Sequence, residues 1–190
     1  MIDINEILKF KKINRLKEVY RLNSIQNRKE SSAEHTFSTM LLADFILDEI
    51  NLSVDKEKVK QLILYHDLVE IESGDTALQP NIEINEEEQS NREYKSAKKL
   101  MKDFPEKFGE KFYSLFDEFM KLETSESKVA RAIDVIDAEI HEIDQKQDFK
   151  GWSRKFIEDN KLKYFKDFPE IREIFNSIMN FYTDNGYFDE

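Results

Sequence analysis

Only four glycines and three prolines punctuate the 190 residues of this chain. Tight turns are built largely from these two residues, so their scarcity disfavours many short strands and favours long helices. Apolar residues recur at three- and four-residue spacing over most of the sequence, as helices require. Ile4, Ile7, Leu8, Ile13, Leu16, Val19 and Tyr20 mark one helix or two short ones over about 4–22, with a polar loop over 23–31. Phe37, Leu41, Leu42, Phe45, Ile46 and Ile50 form an apolar stripe that predicts a buried helix near 33–50. Asp55 has the chemistry of an N-cap. The helix after it runs through Val59, Leu62, Ile63, Tyr65 and His66 to about Ile71, with Gly74 beyond.

Further along, residues 73–85 read as a loop and 86–102 as a charged surface helix. Phe108, Phe112, Leu115, Phe116 and Phe119 give an apolar side to a helix from Lys107 to Leu122. Another helix runs from Ser125 to about Asp144, Gly151-Trp152 opens a less regular stretch, and Pro169 starts a last helix that ends near Gly186. No repeat, low-complexity tract or linker interrupts the pattern. The expectation is an all-α helical bundle, one domain over residues 1–190.

The formal net charge of -11 argues against generic affinity for polymeric nucleic acid or an anionic membrane surface. Charge is nonetheless uneven. Between Lys9 and Lys29 the basic residues are Lys9, Lys11, Lys12, Arg15, Lys17, Arg21, Arg28 and Lys29, against Glu18 as the only acid. Such a segment can receive a small anion, or it can be a solvated basic helix face. No apolar run approaches the roughly 20 residues of a membrane span, and the N-terminus lacks the pattern of a signal peptide. The absence of cysteine agrees with a reducing, cytoplasmic setting.

With three histidines and no cysteine, imidazole and carboxylate are the donors left for a transition metal. His66 and Asp67 are adjacent, and Glu70 lies on the same side of their helix as both. Gly74 then turns the chain so that Asp75 can fold back. On the later helix Asp134, Asp137 and His141 share one side at i, i+3 and i+7. Asp134 sits in the apolar setting Ala132-Ile133-Asp134-Val135-Ile136, where an unpaired carboxylate would cost several kcal/mol. A metal ion would remove that cost, and so would an arginine such as Arg131. Spacing cannot join His35 to His66, which lie on different helices.

The pattern Glu34-His35, then His66-Asp67, then Asp134 resembles the HD-domain phosphohydrolase superfamily, whose signature is H…HD…D. The stretches 17–21, 28–35 and 66–76, with Ala132-Ile133-Asp134, Gly151-Trp152 and Asn185-Gly186-Tyr187-Phe188, are similar to its small 5′-deoxynucleotidase branch, over almost the whole chain. The dipeptide alone is weak, but its extension to Glu70 and Gly74-Asp75 is specific. The resemblance implies His35, His66, Asp67 and Asp134 as ligands of one divalent metal ion (Mn, Co, Fe, Ni, Zn or Mg). It implies Glu70 as catalytic acid/base, Asp75 as a second acidic residue lining the site, and Arg21, Arg28 and Lys17 as the approach to a substrate phosphate. It also implies a homodimer.

Two departures stand out. Arg21 stands at about the position where the deoxynucleotidases carry a tryptophan, and Ser38 replaces a larger residue, so preference for deoxyribose is open. His141 has no counterpart and reads as structural, and Asp137 as a neighbour of the ligands.

The implied activity is that of a phosphomonoesterase on nucleoside 5′-monophosphates, using an activated water. The alternatives are hydrolysis of a phosphodiester, a pyrophosphate or a nucleoside triphosphate, and, in another class, a non-catalytic adaptor stabilised by metal. A ferritin-like di-iron bundle wants paired Glu-x-x-His motifs, and Glu139-Ile140-His141 has the wrong spacing.

Overall fold

The computed structural model describes residues 2–83 and 85–188; Ile84, inside the loop expected over 73–85, lies outside them. Its helices are α1 (Ile4–Phe10), α2 (Ser32–Glu49), α3 (Lys56–His66), α4 (Glu70–Ser73), α5 (Glu86–Asp103), α6 (Glu106–Lys121), α7 (Ser125–Glu142), α8 (Arg154–Lys161) and α9 (Pro169–Asp184). The starts follow local chemistry. Ser31 and Glu34 form a reciprocal capping box ahead of α2, Asp55 accepts from the Lys58 amide, and Thr124 accepts from that of Ser127. Pro169 occupies the first turn of α9, where its missing N–H costs nothing.

Two expectations about the elements themselves are corrected. Residues 20–31 are neither helix end nor loop but an antiparallel hairpin, β1 (Tyr20–Ile25) and β2 (Arg28–Ser31). Gln26 turns the chain in the left-handed region, at φ 49°. The alternation that would betray these strands is missing because Tyr20 and Leu22 are exposed while Glu30 and Ser31 are buried. Polarity here is reversed by what the hairpin covers. The second correction is at the HD dipeptide, where α3 stops at His66, a 3-10 turn carries Asp67–Val69, and α4 follows. The tighter turn changes the direction in which consecutive side chains point.

The core forms around α3, which packs against α2, α6 and α7, with α9 closing on α7. Leu62, Ile63, Ile133, Ile136, Phe112, Phe116, Phe165 and Phe175 are fully buried. Each such side chain contributes about 1.5–3 kcal/mol of hydrophobic stabilisation. The α5–α6 contact is so close that a Cβ on Gly109 would lie 2.1 Å from the Met101 carbonyl oxygen, so this glycine is required by packing. The stripe Phe37, Leu41 and Phe45 faces outward at 68%, 58% and 63% exposure. On α2 the expectation of a buried face therefore holds for Ile46 but fails for these three. Among the described residues no helix is long and apolar enough to cross a membrane.

Candidate metal centre and active site

Three elements converge on one point. His35 stands in the first turn of α2, His66 at the last residue of α3, and Asp134 midway along α7. The donor atoms of these three residues lie within 4.8 Å of one another. His35 Nε2 is 2.9 Å from Asp134 Oδ1, and His66 Nε2 is 3.6 Å from the same oxygen. Asp67, opening the 3-10 turn, lies 3.0 Å from His66 Nε2 through Oδ1 and 3.8 Å from His35 Nε2 through Oδ2. Spacing along the chain could not join His35 to His66; packing of α2 on α3 does so, with the rings edge-on at 5.7 Å between centroids.

Both rings are oriented from behind. His35 Nδ1 is 2.9 Å from Asp137 Oδ2, which also accepts from the Ser38 hydroxyl at 2.8 Å. His66 Nδ1 donates to the Ile63 carbonyl at 2.6 Å. Each imidazole therefore presents Nε2 forward, the arrangement that metal-binding histidines use. Asp137, adjacent to the ligands in the sequence reading, orients the first histidine.

A divalent metal fits this donor set. His66 Nε2 and Asp67 Oδ2 are buried and have no hydrogen-bond partner among the described residues. Orphaned buried polar atoms are costly, and a cation held by two imidazoles and two carboxylates would satisfy them. Titration agrees. Burial and Arg21 oppose charge on His35, yet Asp134 and Asp137 outweigh them and raise its pKa to about 9. Burial likewise opposes charge on His66, but Asp67 and Asp134 raise it to about 10. The carboxylates thus demand positive charge, which protons supply to the metal-free protein.

The Asp134 carboxylate pairs with arginine and still leaves one oxygen for the histidine cluster. Its Oδ2 accepts from Arg131 Nη1 at 3.1 Å while Oδ1 faces the histidines. The Arg131 guanidinium carbon sits over the Phe119 ring, 4.1 Å from its centroid. Three residues before Asp134 on α7, Arg131 is both the partner of that carboxylate and part of the cavity wall.

Beside the centre opens a cavity of about 1270 Å³ whose lining includes His66, Asp67, Glu70, Asp75, Arg21, Arg131 and Asp134. Glu70 Oε2 is buried without a hydrogen-bond partner among the described residues. Burial, then Asp67 and Asp75, hold the Glu70 carboxyl well above the usual range. Burial also raises Asp75, with Arg21 opposing. Arg21 reaches in from β1, its Nη1 3.9 Å from Asp67 Oδ2.

The other basic residues are elsewhere. Arg28 makes a two-point pair with Glu34 at 2.8 and 2.6 Å, and exposed Lys17 donates to Asn14 at 2.8 Å; neither lines the cavity. Lys12 and Arg15 converge on Glu72, and Lys12 also on Asp103. Most of the basic segment is thus a paired surface, with Arg21 and Lys29 as the members that face the cavity. His141 lies away from this cluster, against Glu30 and the hairpin.

The HD domain family matches residues 13–172. A human protein named 5′-deoxynucleotidase HDDC2 is 30% identical over 124 residues, 65% of this chain. The chain spans only 57% of that relative's length. The zebrafish (Danio rerio) protein of the same name is 25% identical over 92% of this chain and 87% of its own. Among solved structures, a predicted metal-dependent phosphohydrolase from Magnetospirillum magnetotacticum superposes with a TM-score of 0.83 at 22% identity, covering 98% of this chain and 97% of that one. An HD-domain phosphohydrolase from Listeria innocua gives 0.65 at 20% identity over 94% and 85%. At these identities the structures speak for the fold.

Proposed function

The chain belongs to the HD-domain family, and from that premise we propose a metal-dependent phosphomonoesterase acting on nucleoside 5′-monophosphates, with residues 1–190 as one domain. The observation that carries the reading is Glu70, whose unpartnered oxygen lies in the cavity wall beside the metal ligands. A purely structural metal site has no need of an unligated carboxyl at that place, which speaks against a non-catalytic adaptor.

In this reading His35, His66, Asp67 and Asp134 hold one divalent ion of the Mn, Fe, Co, Ni, Zn or Mg group. When bound, the ion would polarise a phosphoryl oxygen and ease deprotonation of the attacking water. Arg21 and Arg131 offset the charge of the phosphate dianion, a task suited to the planar guanidinium. Glu70, held protonated by its surroundings, gives its proton to the 5′-oxygen as the P–O bond breaks, and Asp75 accepts the proton lost by water. The products are a nucleoside and inorganic phosphate. Lys17 and Arg28 lie outside the cavity lining, paired with Asn14 and Glu34 on the surface, which favours Arg21 and Arg131 for the phosphate.

The nucleotide assignment is supported by the names of the relatives and by a cavity with room for sugar and base beyond the phosphate. The cysteine-free composition supports a cytoplasmic setting. The outward stripe Phe37, Leu41 and Phe45, with exposed Leu64 on α3, supports a homodimer through α2.

The deciding experiment is phosphate release from a panel of ribo- and deoxyribonucleoside 5′-monophosphates, with chelated protein reloaded by each metal in turn. Turnover of monophosphates is the expected result, and the ratio of the two sugar series measures what Arg21 does in place of tryptophan. Silence across the panel with metal bound overturns the monoesterase and moves the reading to diesters, pyrophosphates or triphosphates.

A further inference from the structure

His141 is the titratable group that the proposed chemistry leaves unused, and its surroundings are built. Its Nε2 faces the Ser24 carbonyl at 2.9 Å, and its Nδ1 lies 3.3 Å from Glu30 Oε1. Both ring nitrogens thus face acceptors, and only the imidazolium can offer a proton to each. Glu30 is buried, with its side chain 4% exposed, so its charge needs compensation. Its other oxygen, Oε2, lies 3.3 Å from Arg21 Nε as an ion pair without hydrogen-bond geometry, and Arg21 Nη1 continues to Asp67 at 3.9 Å. A continuous line of charge runs from α7 through β2 and β1 to the metal ligands.

We infer that His141 and Glu30 are positioning residues that hold the Arg21 guanidinium at the mouth of the metal centre and keep its charge available to the substrate phosphate. The inference rests on the proposed role of Arg21 at that phosphate. Charge counting gives the reason for a third member. Arg21 and Glu30 alone would neutralise one another, and a neutral pair attracts a phosphate dianion weakly. With cationic His141 the trio carries one net positive charge, which lies on the Arg21 side once Glu30 is shared. Two neighbouring acids temper that charge. Glu142, on the same helix, is pushed up to about 7 by burial and Asp148. Asp148 is engaged by the Ser24 amide and hydroxyl at 2.9 and 3.1 Å. Glu30 in turn holds the His141 imidazole up to about 8 against the effect of burial.

Helix geometry shows why this residue can do it. Asp134, Asp137 and His141 share one side of α7. The first addresses the metal, the second orients His35, and the third, two turns on, reaches behind Arg21.

The plain alternative is a staple that only ties the hairpin to α7 through Ser24. His141→Gln separates the two, since glutamine keeps an N–H donor for the Ser24 carbonyl but carries no charge. The expected result is a KM for the best monophosphate raised about tenfold with kcat within about threefold, because a charge contact to phosphate is made in ground and transition states alike. His141→Lys should recover part of the loss. In parallel, the Arg21 Nε–H resonance, assigned through Arg21→Lys, should move toward the free-arginine position and exchange faster in His141→Gln. Glu30→Gln should do the same and serves if the first variant fails to fold. An unmoved Arg21 signal in a folded His141→Gln protein overturns the inference. If wild type hydrolyses no monophosphate, the proposed function fails on its own, and the Arg21 signal alone then decides the positioning role.

Discussion

Helices α2 and α7 are both 18 residues long and both deliver candidate metal ligands to the same point, yet they are built in opposite ways. On α7 the ligand side is surrounded by conventional core: Val129, Ala130, Ala132, Ile133 and Ile136 are fully buried around Asp134 and Asp137. On α2 the buried side is largely small and polar, with Ser32, His35, Thr36, Thr39 and Ala43 inward and Phe37, Leu41 and Phe45 outward. One helix is placed by its apolar side and carries the site along. The other is anchored by Ile46 and Leu47 at its far end and by His35, through its hydrogen bonds to Asp134 and Asp137, at the site, and leaves the stripe Phe37, Leu41 and Phe45 for something else.

The strongest way to break the comparison is at the shared point. Removing a ligand from either helix, by His35→Ala or Asp134→Ala, should abolish metal binding and lower kcat/KM by at least about a thousandfold, roughly 4 kcal/mol of lost stabilisation. Metal content by elemental analysis, read beside turnover, checks it; a variant that retains both would remove α2 or α7 from the centre.

Metal affinity should also depend steeply on pH. His35 and His66, raised to about 9 and about 10 in the metal-free protein, hold protons that an ion must displace. Below pH 9 affinity should therefore rise with pH, by about tenfold or more per unit. Competition titrations with a chelator at several pH values would expose a flat profile, the outcome that contradicts the protonated metal-free centre.

Truncation sharpens the contrast between the two helices. Ile133→Ala on α7 should cost about 2–5 kcal/mol of stability. Phe45→Ser on α2 should change the stability of a single copy by no more than about 0.5 kcal/mol. Sedimentation of Phe45→Ser beside wild type then tests the dimer, since the exposed stripe predicts a shift toward monomer. Equal destabilisation by the two variants would mean that α2 buries its stripe after all.

The smallest effect concerns Glu142. Because its folded pKa is raised to about 7, its ionisation opposes folding: stability is present below the unfolded carboxylate range and is lost as pH climbs through about 7. Glu142→Gln should be near neutral at pH 5 and stabilising at pH 8 by about 1–3 kcal/mol. Thermal melts at the two pH values give the answer, and a pH-independent difference would sink the assignment.

Much of this was legible in the linear sequence because local rules act over three or four residues. Capping by Asp55, the apolar side of α6 and the common side of Asp134, Asp137 and His141 all follow from helical periodicity. Resemblance added the four ligands, and the structure brings His35, His66, Asp67 and Asp134 together. The hairpin over 20–31 escaped because its buried residues, Glu30 and Ser31, are polar, which inverts the signal that marks a strand. Arg28 and Lys17 meet Glu34 and Asn14 on the surface, outside the cavity lining, a placement that charge and spacing alone do not reveal.

What the sequence alone determined is a helical chain with an imidazole–carboxylate set and an acid beside it, since residue type and short spacing carry that information. Which face of α2 turns inward, which arginine reaches the cavity and what His141 does were decided by tertiary structure. His35 meets Asp134 across 99 positions and His141 meets Ser24 across 117. Periodicity reports the sides of a helix, whereas the partner each side finds depends on how distant elements pack, and buried polar groups must find theirs there.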